Sequence, residues 1–134
     1  MEDWKIKIAV LWLIYAAIGL GSGFFMLWEP GVIEQIIAGE VLDTKITPEI
    51  LLIDTIFLLI PLVMAFLSLT LKDSINRWAN IIVGIIFAGL VLVVTIEDLA
   101  RQDAYYAGLI LVGIVEFVVA ALIVWYAWKS KQKA

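Results

Sequence analysis

Two carboxylic acids set among alkyl side chains are the residues of this sequence best placed to do chemistry: Asp54, near the start of the stretch 50–71, and Glu116, near the middle of 105–128. A carboxyl group in such surroundings can take up a proton, coordinate a cation, or anchor the polar head of a lipophilic molecule. The chain contains no His and no Cys. Those absences exclude imidazole ligation of zinc, copper or haem, thiolate chemistry and disulfides. No cofactor motif and no catalytic set stands in the sequence, so a non-enzymatic role without a cofactor is the expectation. The identity of any metal at the carboxylates stays open.

The elements that must position these groups follow from composition. A chain of 134 residues that is 64% apolar, with mean hydropathy +1.07, has more apolar surface than a small soluble core could hide. The sequence therefore predicts an all-α fold, an integral membrane four-helix transmembrane bundle forming a single domain over 1–134. Its spans are 5–27, 50–71, 77–96 and 105–128. At about 1.5 Å rise per residue the last span reaches about 36 Å against about 30 Å of hydrocarbon, which puts Glu116 near the midplane. A charged residue there costs about 2.5 to 3.5 kcal/mol on insertion scales, so the group needs a partner.

The first span is flanked like a secretory leader, with Lys5 and Lys7 before it and the small residues Gly21, Ser22 and Gly23 near its end. Glu2, Asp3 and the apolar run on through residue 27 favour a retained span instead. In the loop that follows, Val32, Ile33, Ile36 and Ile37 recur at helical spacing with Glu34 and Gln35 opposite, and Gly39 follows as a stop. This pattern predicts a short interfacial helix over 30–38. Thr47 and Pro48 read as the cap and first residue of the second span.

Seven of the nine basic residues fall on one side of this four-span layout: Lys5, Lys7, Lys72, Arg77, Lys129, Lys131 and Lys133. Only Lys45 and Arg101 fall on the other. The asymmetry predicts a multi-pass protein of the cell membrane with both termini cytoplasmic. Trp4, Trp78, Trp125, Tyr126 and Trp128 supply the inner aromatic belt, and Trp28, Tyr105 and Tyr106 the outer one. The outer face is acidic, carrying Glu29, Glu34, Glu40, Asp43, Glu49, Glu97, Asp98 and Asp103, which reads as a solvated rim first and as a surface that draws in cations within about 8 Å second. With net charge -4 and no basic block, nucleic acid is excluded as a partner.

Helices in lipid associate through close packing and hydrogen bonds, so small and polar residues mark the faces that meet. On the first span these are Tyr15, Gly19, Ser22 and Gly23, and on the second Asp54, Pro61, Ala65 and Ser68. The third offers Asn80, Gly84, Ala88 and Thr95, the fourth Gly113, Glu116 and Ala120. Packed inward, the stripes predict a closed bundle with both carboxylates inside, Tyr15 at the depth of Glu116, and Ser22 and Thr95 level with Asp54. Pro61 releases the carbonyl of Phe57 as a further acceptor. No Lys, Arg or His lies deep in a span, so the carboxylates lack a buried counter-ion.

Three roles fit this pattern. The carboxylates bind a proton or small cation on a path through the bundle; they anchor a lipophilic ligand such as a quinone or lipid; or they are hydrogen-bond partners in a structural or accessory subunit, Glu116 donating to Tyr15. The lipid bilayer is the partner common to all three, and a homo-oligomer is compatible with each. Asn76, Arg77 and Asn80 form one turn at the inner edge of the third span. They read as a corner that fixes the tight inner turn or as an inner gate, with Arg77 in reach of lipid phosphate or of the carbonyls ending the second span.

The stretch SLTLKDSINRWANIIVGIIFAG (residues 68–89) and the closing VWYAWK (124–129) resemble a family of uncharacterised small four-helix prokaryotic membrane proteins, loosely similar in turn to DoxX-like membrane proteins. The resemblance implies four spans with a long first loop and a membrane location. It implies no activity: DoxX is associated with quinone-linked sulfur oxidation, and none of its catalytic residues carries over to this chain.

The charge asymmetry sets a first test. Single cysteines introduced between residues 31 and 45 and after Trp128 are expected to react with an impermeant thiol reagent from opposite sides of the membrane. Labelling of both from one side would defeat the four-span layout.

Overall fold

A computed structural model describes residues 2–130, so Lys131 and Lys133 of the basic tail lie outside the described residues. Four helices are long and apolar enough to cross a membrane. These are α1 (Asp3–Met26), α3 (Pro48–Thr70), α4 (Asp73–Ala100) and α5 (Ala107–Lys129), the last entered through a 3-10 turn (Ala104–Tyr106). The protein is a four-helix membrane bundle. Between α1 and α3 lie a short helix, α2 (Val32–Ile37), and a two-stranded hairpin, β1 (Glu40–Val41) with β2 (Thr44–Lys45).

Local chemistry explains the boundaries. Thr47 Oγ1 accepts from the Ile50 amide at 3.2 Å, and Pro48, which has no amide hydrogen to lose, opens α3. Gly39, at φ 87°, ends α2 in the left-handed region where a Cβ is unfavourable. The hairpin is a difference from the sequence reading, which stopped at the helix. Leu42 and Asp43 both adopt positive φ (47° and 64°), the geometry of a two-residue primed turn. Leucine rarely takes this conformation, and the Gln35 side chain holds it by accepting from the Leu42 amide at 3.0 Å. The third span is also longer than expected, and α3 and α4 are joined by only two residues, Leu71 and Lys72, both extended.

Round the bundle, α1 packs against α3 and α5, and α5 against α4, while α3 and α4 approach only sparsely. Hence α3 and α5 stand diagonally. Buried side chains gather in the half nearer the termini: Trp4, Ile8, Trp12 and Tyr15 on α1, Met64 and Ala65 on α3, and Ala120, Ile123 and Ala127 on α5. In this half Trp12, Tyr15 and Phe87 meet edge to face, with ring centroids 5.4 to 6.0 Å apart, and Phe57 reaches Phe87 from α3 at 5.9 Å. Such contacts add to plain area burial. Towards the loop end the helices splay, and α3 is exposed along residues 51–59.

A buried polar lattice closes the terminal half. Trp12 Nε1 donates to Asn80 Oδ1 at 2.7 Å, and the Ser68 hydroxyl lies 3.2 Å from the same oxygen and 2.6 Å from the Met64 carbonyl. Asn80 Nδ2 donates to both oxygens of Asn76, and Asn76 Nδ2 to the Ser68 carbonyl at 2.7 Å. Asn76, Asn80 and Ser68 are wholly buried. In a medium without water each of these groups must find a protein partner, and here each one does.

Small residues divide into two sets. Gly84 is buried where α4 meets α5, and a Cβ there would come within 2.7 Å of Val124 Cγ2. At Gly113 a Cβ would overlap the Thr95 hydroxyl. Ala88 and Ala120 flank the same interior. Gly19 and Gly23 differ: both are exposed, and a Cβ at either meets nothing within 4 Å. The expectation that they bring α1 against its neighbours is corrected. They lie in the splayed half, and α1 makes its contacts through Ile8, Trp12, Tyr15 and Ala16.

Gly84→Leu is therefore expected to destabilise the bundle by about 1 to 3 kcal/mol through overpacking. Gly23→Leu, which enters open space, should leave the thermal unfolding midpoint in detergent nearly unchanged. Equal losses from the two would contradict this division of the glycines.

Candidate functional site

Tyr15 and Glu116 come together. Tyr15, buried on α1, and Glu116, half-buried on α5, lie near each other across the α1–α5 interface. The Tyr15 ring is fixed from behind by Trp12 and Phe87, so its hydroxyl is presented in one direction.

The other candidates do not join this pair. Asp54 is exposed on α3, the helix diagonal to α5, so the expectation that it lies inside the bundle with Glu116 is corrected. The inward stripe holds for Pro61, Ala65 and Ser68 in the packed half of α3 and fails one turn beyond, where the helices separate. Thr95 is buried and donates to the Val91 carbonyl at 2.7 Å, its own helix supplying the partner. Ser22 likewise donates to Gly19 O at 3.1 Å. Among the described residues no cluster of three acidic side chains could hold a metal ion.

Asn76 and Asn80 belong to the buried lattice that fixes the α3–α4 corner. It is Asn76, rather than Arg77, that meets the carbonyls ending α3, at Ser68 and Leu71. The Arg77 guanidinium instead lies against two indoles, 4.9 Å from the Trp78 ring and 5.2 Å from that of Trp128.

A feature the sequence reading did not assemble lies in the splayed half. Between α1 and α5 a groove of about 460 Å³ opens, walled by Ile18, Phe25, Leu109 and Val112, with Gly21 and Gly108 leaving it wide. Its polar groups are few: Ser22, Glu29 and Tyr105. A Cβ at Gly21 or Gly108 would meet nothing within 4 Å, so both glycines face open space. Glycines on two spans at matching distance from the loop end, near an aromatic and an acidic residue, are the signal that could have located it.

Glu116→Gln keeps the size of the side chain and a partner for Tyr15, so the unfolding midpoint should stay unchanged. Glu116→Leu removes that partner and should cost about 1 kcal/mol. Loss of proton or cation uptake by vesicles carrying Glu116→Gln, with folding intact, would instead assign the carboxyl a transport role.

The family of unknown function DUF6326 matches residues 1–134. No curated protein and no solved structure matches the chain.

Proposed function

The chain belongs to the family of unknown function DUF6326, whose description assigns no activity, and we propose from its geometry that it binds a lipophilic molecule in the groove between α1 and α5. The single observation that carries this reading is the groove itself: apolar along its walls, polar at only three residues, and large enough at about 460 Å³ for a small-molecule ligand. Neither Asp54 nor Glu116 lines it. A cation path would need polar walls connecting the two carboxylates, whereas an apolar furrow opening sideways suits a ligand that arrives through the bilayer.

The polar residues define the chemistry of its head. The Tyr105 phenol can donate, the Glu29 carboxylate can accept, and the Ser22 hydroxyl offers acceptor lone pairs beside its bond to Gly19. A molecule with an alkyl or isoprenoid body and a small hydrogen-bonding head fits this division, with the head at the loop end. On the topology expected from the basic residues, that end faces away from the cytoplasm.

Gly108→Leu tests the reading, because Gly108 lines the groove and a Cβ there meets no protein atom within 4 Å, so the longer side chain takes up groove space. Labelling by a photoactivatable long-chain alkyl probe, mapped to α1 and α5, should fall by about tenfold, the equivalent of about 1.4 kcal/mol. Unchanged labelling of a variant that folds normally would overturn the proposal.

A further inference from the structure

At the opposite end of the same helix pair, two hollows meet. One is small and polar, about 70 Å³, lined by Asp3, Trp4, Lys7, Tyr126, Lys129 and Ser130. The other is an apolar furrow of about 290 Å³ along Ile6, Val10, Leu11 and Leu122. Lys7 and Tyr126 border both, so the polar chamber and the apolar furrow adjoin at these two side chains. The chamber has room for two or three waters at about 30 Å³ each, or one phosphate-sized group.

Charge narrows the occupant. Among the described lining residues two ammonium groups, Lys7 and Lys129, stand with one carboxylate, Asp3. Beside the chamber, Lys5 Nζ pairs with Asp73 at 2.6 Å, and the Glu2 carboxylate is held at the rim by the indole of the lining residue Trp4. The Ser130 hydroxyl donates to the Ala127 carbonyl, so the two ammonium groups and the Tyr126 hydroxyl are the donors that face an anion. Both ammonium groups are held beside aromatic rings, Lys7 Nζ 5.4 Å from the Tyr126 ring centroid and Lys129 Nζ 6.0 Å from that of Trp125. Lysines that lay their stems along apolar surface with the charge at ring level are arranged for a headgroup layer.

We infer that this is a binding site for an anionic phospholipid, its phosphate between Lys7 and Lys129 and an acyl chain along Ile6, Val10, Leu11 and Leu122. A zwitterionic lipid would bring its own cation towards the two ammonium groups. A free phosphate would leave the furrow unused. The site shares no lining residue with the groove at the loop end and does not depend on the role proposed for it.

The full chain, purified in detergent, can be offered phosphatidylglycerol and phosphatidylcholine of identical acyl composition, with retained lipid counted by native mass spectrometry. The expected preference for phosphatidylglycerol is about tenfold, falling below about twofold in Lys7→Gln/Lys129→Gln. Lys45→Gln, which removes a charge at the loop end, and Gly108→Leu should both keep the preference. Equal retention of the two lipids by the unaltered chain would overturn the inference, as would a preference that survives in the double variant. So would an equal loss in Lys45→Gln, or displacement of the lipid by inorganic phosphate at matching concentration.

Discussion

The hydrogen bond from the Trp12 indole to Asn80, with Ser68 and Asn76 completing its surroundings, is the constraint on which the rest of this bundle depends. Lipid tails are as apolar as leucine, so burying leucine between helices gives no preference for one arrangement over another. A side-chain amide does give one, because it is costly in hydrocarbon until its partners are found. Here one amide oxygen draws α1 and α3 onto α4, and a second amide caps the end of α3, so the two-residue turn at Leu71 and Lys72 has its geometry fixed by the same atoms. The aromatic contacts of Trp12, Tyr15 and Phe87 then stack onto an indole already held in place.

Seen this way, the splayed half is the region the lattice does not reach. Between α4 and α5 the helices stay close without it, since Gly84 and Gly113 let the backbones approach. Between α1 and α5 the contact holds as far as Tyr15 and Glu116, and then the pair separates around Gly21 and Gly108 into the wide apolar groove. In water such a groove would be a fault in packing. In a bilayer it is a lateral opening that must always be occupied, by bulk lipid or by something that fits better.

The parts of this architecture legible in the sequence are those governed by local chemistry. The four spans follow from apolar length, the start of α3 from Thr47 and Pro48, and the end of α2 from Gly39. The approach of Tyr15 to Glu116 was accessible from depth alone. Other features depend on which helix stands beside which, information that no single span carries. Gly19 and Gly23 have the spacing of a packing motif, yet no helix stands against them. Asp54 continues the stripe of Pro61 and Ser68 only if α3 remains in contact over its whole length, and it does not. Asn80 was visible as a polar residue at a helix end, but its partner Trp12 lies 68 positions away. The hairpin at Leu42 was hidden because leucine is a poor marker of a left-handed turn, and the stabilising group, Gln35, is seven residues distant.

The helices differ in length, with 28 residues in α4 against 23 in α3 and 23 in α5. At about 1.5 Å per residue α4 is about 42 Å long and its neighbours about 35 Å, against a hydrocarbon layer of about 30 Å. At the terminal end the lattice pins α4 to α3. The last turns of α4, at the loop end, carry Glu97 and Asp98. Tilt is the cheapest way for a long helix to meet a thin layer, and a helix pinned at one end can tilt only by swinging the other. Because α5 packs along the length of α4, an inclination of α4 is shared by α5, and the groove between α1 and α5 is the space that lies in its way.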